Sequence, residues 1–388
     1  MQLTAKILAR LALAGIFVFS SSLWALASDK QPTRRKKPKS SPSAVAATKS
    51  SARRGKRAAR KAKGEWWRES SLADSAAGDV LDGEDLTVRQ AAVDGLGPLN
   101  GSVVVVDPNT GRVLAMVNQK LALASGFTPC STIKVPVALA ALNEGVISLH
   151  TKLRLGRQWF MNLTDALAIS NNVFFARLGE ALGFERVRQY VRLFGFGEKA
   201  GWNIPGEQLG TFPEAQPRHG GVGRLTSFGE EIAATPLQQA AFVSAIANGG
   251  TLYYLQYPRT PEELAQFIPK IKRRLDIQSW IPAVLPGMMA AVERGTARRA
   301  YDPQDPIFGK TGTFSQDGVR LGWFTSYNEL GSKLAVVVLL RGGRATFGPR
   351  AAEVAGRVYK SLNEHNYFAN HPELPTGSYI AGDSCCSH

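Results

Sequence analysis

Three short polar strings in this chain carry residue types that can do chemistry: Ser131-Thr132-Ile133-Lys134, Ser170-Asn171-Asn172 and Lys310-Thr311-Gly312-Thr313. In order they read S-x-x-K, S-x-N and K-T-G, and the chemistry they suit is nucleophilic acyl transfer. A serine hydroxyl is a weak nucleophile at neutral pH and needs a neighbouring base. Lys134, three residues after Ser131, shares a face of a helix beginning at the serine and can take its proton. The helix start also offers free backbone N–H groups and a positive dipole end where an acyl oxyanion would form. Singly, each string has an ordinary reading. Ser131 can be the N-cap of a helix over Val135–Glu144, Ser170-Asn171-Asn172 a loop, and Lys310-Thr311-Gly312 a polar strand end. Their joint occurrence, in order, points to an enzyme site.

The elements that must position these strings follow from the pattern. Gly101–Val106 is a continuous apolar run, Asp107-Pro108-Asn109-Thr110-Gly111 a turn, and Arg112–Val117 the return strand. Arg320–Tyr327 and Lys333–Leu340 make a second pair, parted by Asn328-Glu329-Leu330-Gly331, and the Lys310 string just before them ends or occupies a strand of its own. Ile133–Leu142, Leu163–Ile169, Asn172–Leu182 and Glu185–Phe194 show apolar residues at helical spacing. Pro236–Ala247 adds a helix stopped by Asn248-Gly249-Gly250, and Pro349–Leu362 another, with Ala352, Val354, Ala355 and Val358 able to face a sheet. Strands at both ends with helices between predict an α/β fold of the α+β type. It comprises a five-stranded antiparallel sheet flanked by helices, with a helical subdomain.

Over residues 98–365 the chain resembles the transpeptidase domain of penicillin-binding proteins, in the serine transpeptidase and β-lactamase superfamily. The three strings are that superfamily's motif set. Further strings match in order. Phe127-Thr128-Pro129 leads into the nucleophile, Asn203-Ile204-Pro205-Gly206-Glu207 looks like a D-x-P-G-E turn, and Thr235-Pro236-Leu237-Gln238 precedes Asn248-Gly249-Gly250. Gly295-Thr296-Ala297 and Gly322-Trp323-Phe324 flank the Lys310 string. The resemblance implies that Ser131 is acylated, Lys134 takes its proton, and Ser170 relays a proton to the leaving amine. Asn172 would hold the substrate peptide amide, Lys310 would tune the field of the cleft, and Thr311 and Thr313 would contact the substrate carboxylate. Gly312 completes the K-T-G string, and the N–H groups of Ser131 and Thr313 would form the oxyanion hole. The implied substrate is the D-alanyl-D-alanine end of a peptidoglycan stem peptide, cross-linked to a second stem or trimmed by water, with β-lactams as covalent inhibitors.

Two positions depart from the family pattern. Where a second glycine usually follows shortly after the position of Gly229, this chain has Glu230-Glu231, two carboxylates that could repel an anionic substrate or receive a cationic amine. Cys130 replaces the small Gly or Ala that commonly precedes the nucleophile, and reads as a small buried hydrophobe rather than a redox group.

At 388 residues and 44% hydrophobic content the chain can bury one large core. Residues 1–27, with Lys6, Arg10, an apolar stretch from Leu11 and Ala25-Leu26-Ala27, read as an export signal cleaved after Ala27, or as an uncleaved membrane anchor. The expected location is therefore exported, periplasmic or otherwise extracytoplasmic. Residues 28–65 read as a basic linker expected to be disordered. The stretch 30–63 holds fourteen Lys or Arg and no acid, and so carries fourteen of the chain's sixteen net positive charges. It is a solvated spacer or an adhesive for anionic lipid or wall polymer. Nucleic acid fits the charge alone, and export argues against it. Residues 66–97 read as a short join and 366–388 as a polar tail. The join is too short for a glycan-polymerising domain, so a separate glycan polymerase is an expected kind of partner. Three cysteines, two adjacent at Cys385-Cys386, give no disulfide framework, and five scattered His show no zinc spacing, so neither metal nor cofactor is expected.

Two rivals remain open at the level of sequence. A class D-like serine β-lactamase shares S-x-x-K and K-T-G but usually has Val where Asn172 stands. A non-catalytic β-lactam sensor or wall-tethered scaffold would tolerate decay of motifs that are here intact.

Overall fold

The computed structural model describes residues 67–371, all within the unit Lys63–His388. The segments 1–27 and 28–65, and the tail beyond His371, lie outside the described residues. The strands are β1 (Gly101–Val106), β2 (Val113–Val117), β3 (Leu153–Arg154), β4 (Phe160–Met161), β5 (Thr251–Tyr253), β6 (Ile271–Arg274), β7 (Ile307–Gln316), β8 (Val319–Asn328) and β9 (Ala335–Gly342). The principal helices are α1 (Leu86–Leu96), α2 (Lys134–Asn143), α3 (Leu163–Ala168), α4 (Asn172–Leu182), α5 (Phe184–Leu193), α6 (Gly221–Phe228), α7 (Pro236–Ala247), α8 (Pro261–Ala265), α9 (Ile281–Glu293) and α10 (Gly348–Glu364). The main sheet has five strands in the order β2-β1-β9-β8-β7, every neighbouring pair antiparallel. This is the mixed α/β architecture expected from the sequence.

The sheet divides two cores, and β1 shows why. Its side chains alternate: Val104 and Val106 face one core, Val103 and Val105 the other. On one side lie α1 and α10, where Ala352, Val354, Ala355 and Val358 are fully buried against the sheet as their spacing predicts. On the other lies the helical region around α2 and α7, with Val337, Leu339 and Trp323 of the sheet in the same core. Both faces being covered explains the continuous apolar runs of β1 and β9. Residues 67–97, the short join, contribute α1, whose Gly95 lets it close on α10: a Cβ there would lie 2.7 Å from Val358 Cγ2.

Several strings singled out in the sequence are structural. Glu207 is buried and accepts N–H bonds from Ala200 at 2.7 Å and Gly201 at 3.1 Å, closing the Asn203–Glu207 turn. Thr235 and Gln238 form a reciprocal capping box at the start of α7. Asn248 accepts from Gly250 and Thr251 N–H and fixes the turn that ends it.

Candidate active site

The nucleophile turn differs from the sequence expectation. The α-helix does not begin at Ser131. Residues Cys130–Ile133 form a 3₁₀ turn, and α2 starts at Lys134 with no side-chain cap. At three residues per turn, positions i and i+3 eclipse, so Lys134 sits over Ser131 more directly than α-helical spacing would place it. Cys130 holds the turn with φ 56°, a left-handed conformation that costs on the order of 1 kcal/mol for a non-glycine residue. Its side chain is buried, and burial pushes the thiol well above its ordinary range, which suits the inert reading.

Lys134 is the hub. Its Nζ lies 3.0 Å from Ser131 Oγ, 3.0 Å from Ser170 Oγ, 2.8 Å from the Ser170 carbonyl and 2.6 Å from Asn172 Oδ1. The side chain is fully buried. Burial first, and the nearby charge of Lys310 second, lower its pKa to about 6. At neutral pH the amine is therefore free to accept the serine proton while its own hydrogens point to the Ser170 carbonyl and Asn172.

The second string reaches Lys134 through a strained turn. Ser170 follows the end of α3 with φ 59°, and its N–H donates to Leu167 O at 3.2 Å. Asn171 caps α4, accepting from Phe174 N–H at 2.8 Å. The middle residue of the motif is thus a cap, while the outer two point at the lysine. Asn172 Oδ1 serves the lysine, which leaves the amide nitrogen for a substrate carbonyl.

The third string lies inside β7, the outer strand of the sheet, in register with β8. Lys310 is fully buried, donates to the Thr311 carbonyl at 3.1 Å, and is lowered by burial to about 7. Thr313 Oγ accepts from Gly348 N–H at 2.8 Å. Gly312 is where strand and nucleophile meet: a Cβ there would lie 2.8 Å from Pro129 O and 2.9 Å from Cys130 Cβ. All eight residues of the three strings singled out in the sequence, Ser131, Lys134, Ser170, Asn172, Lys310, Thr311, Gly312 and Thr313, therefore lie on three elements that converge on one turn.

Sequence reasoning missed what holds that turn. Gln239 Nε2 donates to Thr132 Oγ1 at 2.7 Å, and Trp323 Nε1 donates to Thr128 O at 2.9 Å. Gly229 presses on it too, since a Cβ there would lie 2.7 Å from Pro129 Cγ. Glu230 and Glu231, which follow Gly229, part ways: Glu230 pairs with Arg224, and Glu231 is exposed.

A model of the penicillin binding protein transpeptidase domain matches residues 101–362. The chain belongs to this family. Among curated proteins it is similar to stage V sporulation protein D of Bacillus subtilis, 28% identical over 313 residues, which cover 66% of this chain and 48% of that protein. It is also similar to the peptidoglycan D,D-transpeptidase FtsI of Escherichia coli, 26% identical over 243 residues, covering 52% and 41%. The chain spans about half the length of the curated relatives it matches. Among solved structures, PBP2 of Pseudomonas aeruginosa in complex with WCK 5153 superposes with a TM-score of 0.61 at 24% identity, covering 77% of this chain and 80% of that one. This likeness shows that the penicillin-binding transpeptidase fold is shared.

Proposed function

We propose that this penicillin-binding protein is a serine D,D-transpeptidase that cross-links peptidoglycan stem peptides ending in D-alanyl-D-alanine. Trimming of the same terminus by water, a D,D-carboxypeptidase reaction, uses the same first half. The observation that carries the reading is Lys134 Nζ, buried and within 3.0 Å of both Ser131 Oγ and Ser170 Oγ.

Neutral Lys134 takes the Ser131 proton as Oγ attacks the penultimate D-alanine carbonyl. The oxyanion that forms is held by the N–H groups of Ser131 and Thr313. Collapse breaks the peptide bond. The proton held at Lys134 passes through Ser170 Oγ to the leaving D-alanine nitrogen, and an ester to Ser131 remains. An acceptor amine then attacks this ester, losing its proton along the same path in reverse and releasing Ser131 with its proton restored. Asn172 positions the substrate amide, and Lys310 with Thr311 and Thr313 receives the terminal carboxylate.

A class D-like β-lactamase reading is disfavoured by Asn172. Its Oδ1 touches Lys134 at 2.6 Å, where an apolar residue would be expected in that class. A non-catalytic sensor is disfavoured by the assembled lysine hub. The site belongs to a domain over residues 98–365, exported and extracytoplasmic, with attachment through residues 1–27 or 30–63 and a separate glycan polymerase as partner. Among the described residues no helix is long and apolar enough to cross a membrane. Mass spectrometry of the full chain with a fluorescent penicillin tests the reading. A stable adduct on Ser131 supports it, rapid loss of the adduct with turnover of penicillin supports the β-lactamase, and no adduct rejects both.

A further inference from the structure

Gly295-Thr296 joins two of the three catalytic elements. The Thr296 N–H donates to Ala168 O at 3.1 Å, at the end of α3 two residues before Ser170. Gly295 is pressed against that same carbonyl, since a Cβ there would lie 2.1 Å from Ala168 O. On its other side, Thr296 Oγ1 lies 2.6 Å from Thr311 Oγ1, on the strand that carries Lys310. One residue thus touches the Ser170 turn through its backbone and the K-T-G strand through its side chain.

We infer that Thr296 is a positioning residue for acyl transfer, whose hydroxyl donates to Thr311 and so aims the Thr311 proton at a substrate carboxylate. The inference rests on the acyl-transfer reading above. A threonine hydroxyl has one proton and two lone pairs. If Thr311 donated to Thr296, its proton would be used inside the protein and the side chain would meet an anion with lone pairs. With Thr296 as donor, the Thr311 proton is left for the ligand. The resulting O–H chain ends on a carboxylate, and each bond strengthens the next. Thr311 is 4% exposed, so few other partners can orient it.

The test compares benzylpenicillin with its methyl ester, which lacks the anionic carboxylate, on the full chain. Thr296→Val keeps the shape and the backbone bond to Ala168 and removes the hydroxyl. Acylation by the acid at low concentration is expected to slow by about tenfold, the scale of one charge-assisted hydrogen bond. The loss should appear in the concentration giving half-maximal rate, with the limiting rate retained. Acylation by the ester should stay within about twofold of wild type, and Thr296→Ser should recover most of the acid's rate. Should Thr296→Val fail to melt as a folded protein, Thr296→Ala supplies the same contrast between acid and ester. Equal losses with acid and ester mean a purely structural clasp and overturn the inference, as does an unchanged rate with the acid. A wild-type chain that neither compound acylates overturns the acyl-transfer reading and this inference with it.

Discussion

At the scale of single residues, the proposed mechanism depends on a lysine kept uncharged. Among the described residues Lys134 has no carboxylate partner. Its neighbours are hydroxyls, a carbonyl, an amide and the ring of Phe175, 5.6 Å from Nζ, so burial is free to depress its pKa. Ser131→Ala should abolish penicillin labelling with the fold retained. Lys134→Ala should slow acylation by about a hundredfold or more, the usual scale for a lost general base. The pH profile follows with a definite sign. The base must be unprotonated, so the rate of acylation should climb as pH rises through about 6, where Lys134 loses its proton. Lys310 loses its charge near 7 in the free protein, and an arriving carboxylate raises that value, so the descending limb lies above 7. A stopped-flow profile that is flat between pH 5 and about 7 would contradict the assignment of Lys134 as base. The residue types at Ser131, Lys134 and Asn172 were legible in the sequence. The depressed pKa was not, because burial is set by residues far away in the chain.

At the scale of elements, close approach of β7 to the nucleophile turn decides the geometry. The Lys310 strand can meet Pro129 and Cys130 only because position 312 has no Cβ. Gly312→Ala should push strand and turn apart, cost about 1–3 kcal/mol of stability as an overpacked contact, and cut acylation far more than a surface substitution would. Thermal melting and penicillin labelling of the same variant measure the two effects, and unchanged labelling would show that the contact is not needed. Elements with strong local patterns, such as α4 and α10, were read correctly from apolar spacing. Helix α9 was not, because Ile281–Glu293 is apolar on most faces and contains Pro286, which argues locally against a helix. Tertiary packing overrides it: Met288, Ala290 and Ala291 are buried, and Gly287 lies against Leu167. Helix α6 was missed for a related reason. Its Gly221 and Gly223 weaken local propensity, yet Gly223 gives the space needed beside Ala176 and Glu180 of α4.

At the scale of the whole molecule, charge and catalysis are separate along the chain. Fourteen of the sixteen net positive charges fall in residues 30–63, which contain none of the three motif strings assigned to catalysis in the proposed function. We expect a chain lacking 30–63 to be acylated by penicillin at the wild-type rate. It should bind anionic vesicles or purified cell walls more weakly. For the full chain that binding should weaken as salt rises through ~0.1–0.5 M, where the Debye length falls below about 10 Å. Co-sedimentation at several salt concentrations measures this. A slower acylation on deletion would show that the stretch shapes the catalytic domain, and indifference of the full chain to anionic surfaces at low salt would leave it a spacer.

The sequence by itself determined the chemistry on offer and the sheet-and-helix framework, because motif spacing and the period of apolar residues are local properties. It also carried the separation of the basic stretch from the catalytic strings. Only the tertiary structure decided how the strings act together. It put a 3₁₀ turn where an α-helix was expected and turned Ser170 and Asn172 onto Lys134. It also revealed Gln239, Trp323 and Thr296 as supports. Those contacts join residues 36 to 195 positions apart or, for Thr296 and Thr311, 15 positions apart on two elements with no shared local pattern. No window of sequence contains both partners with the geometry that makes them meet.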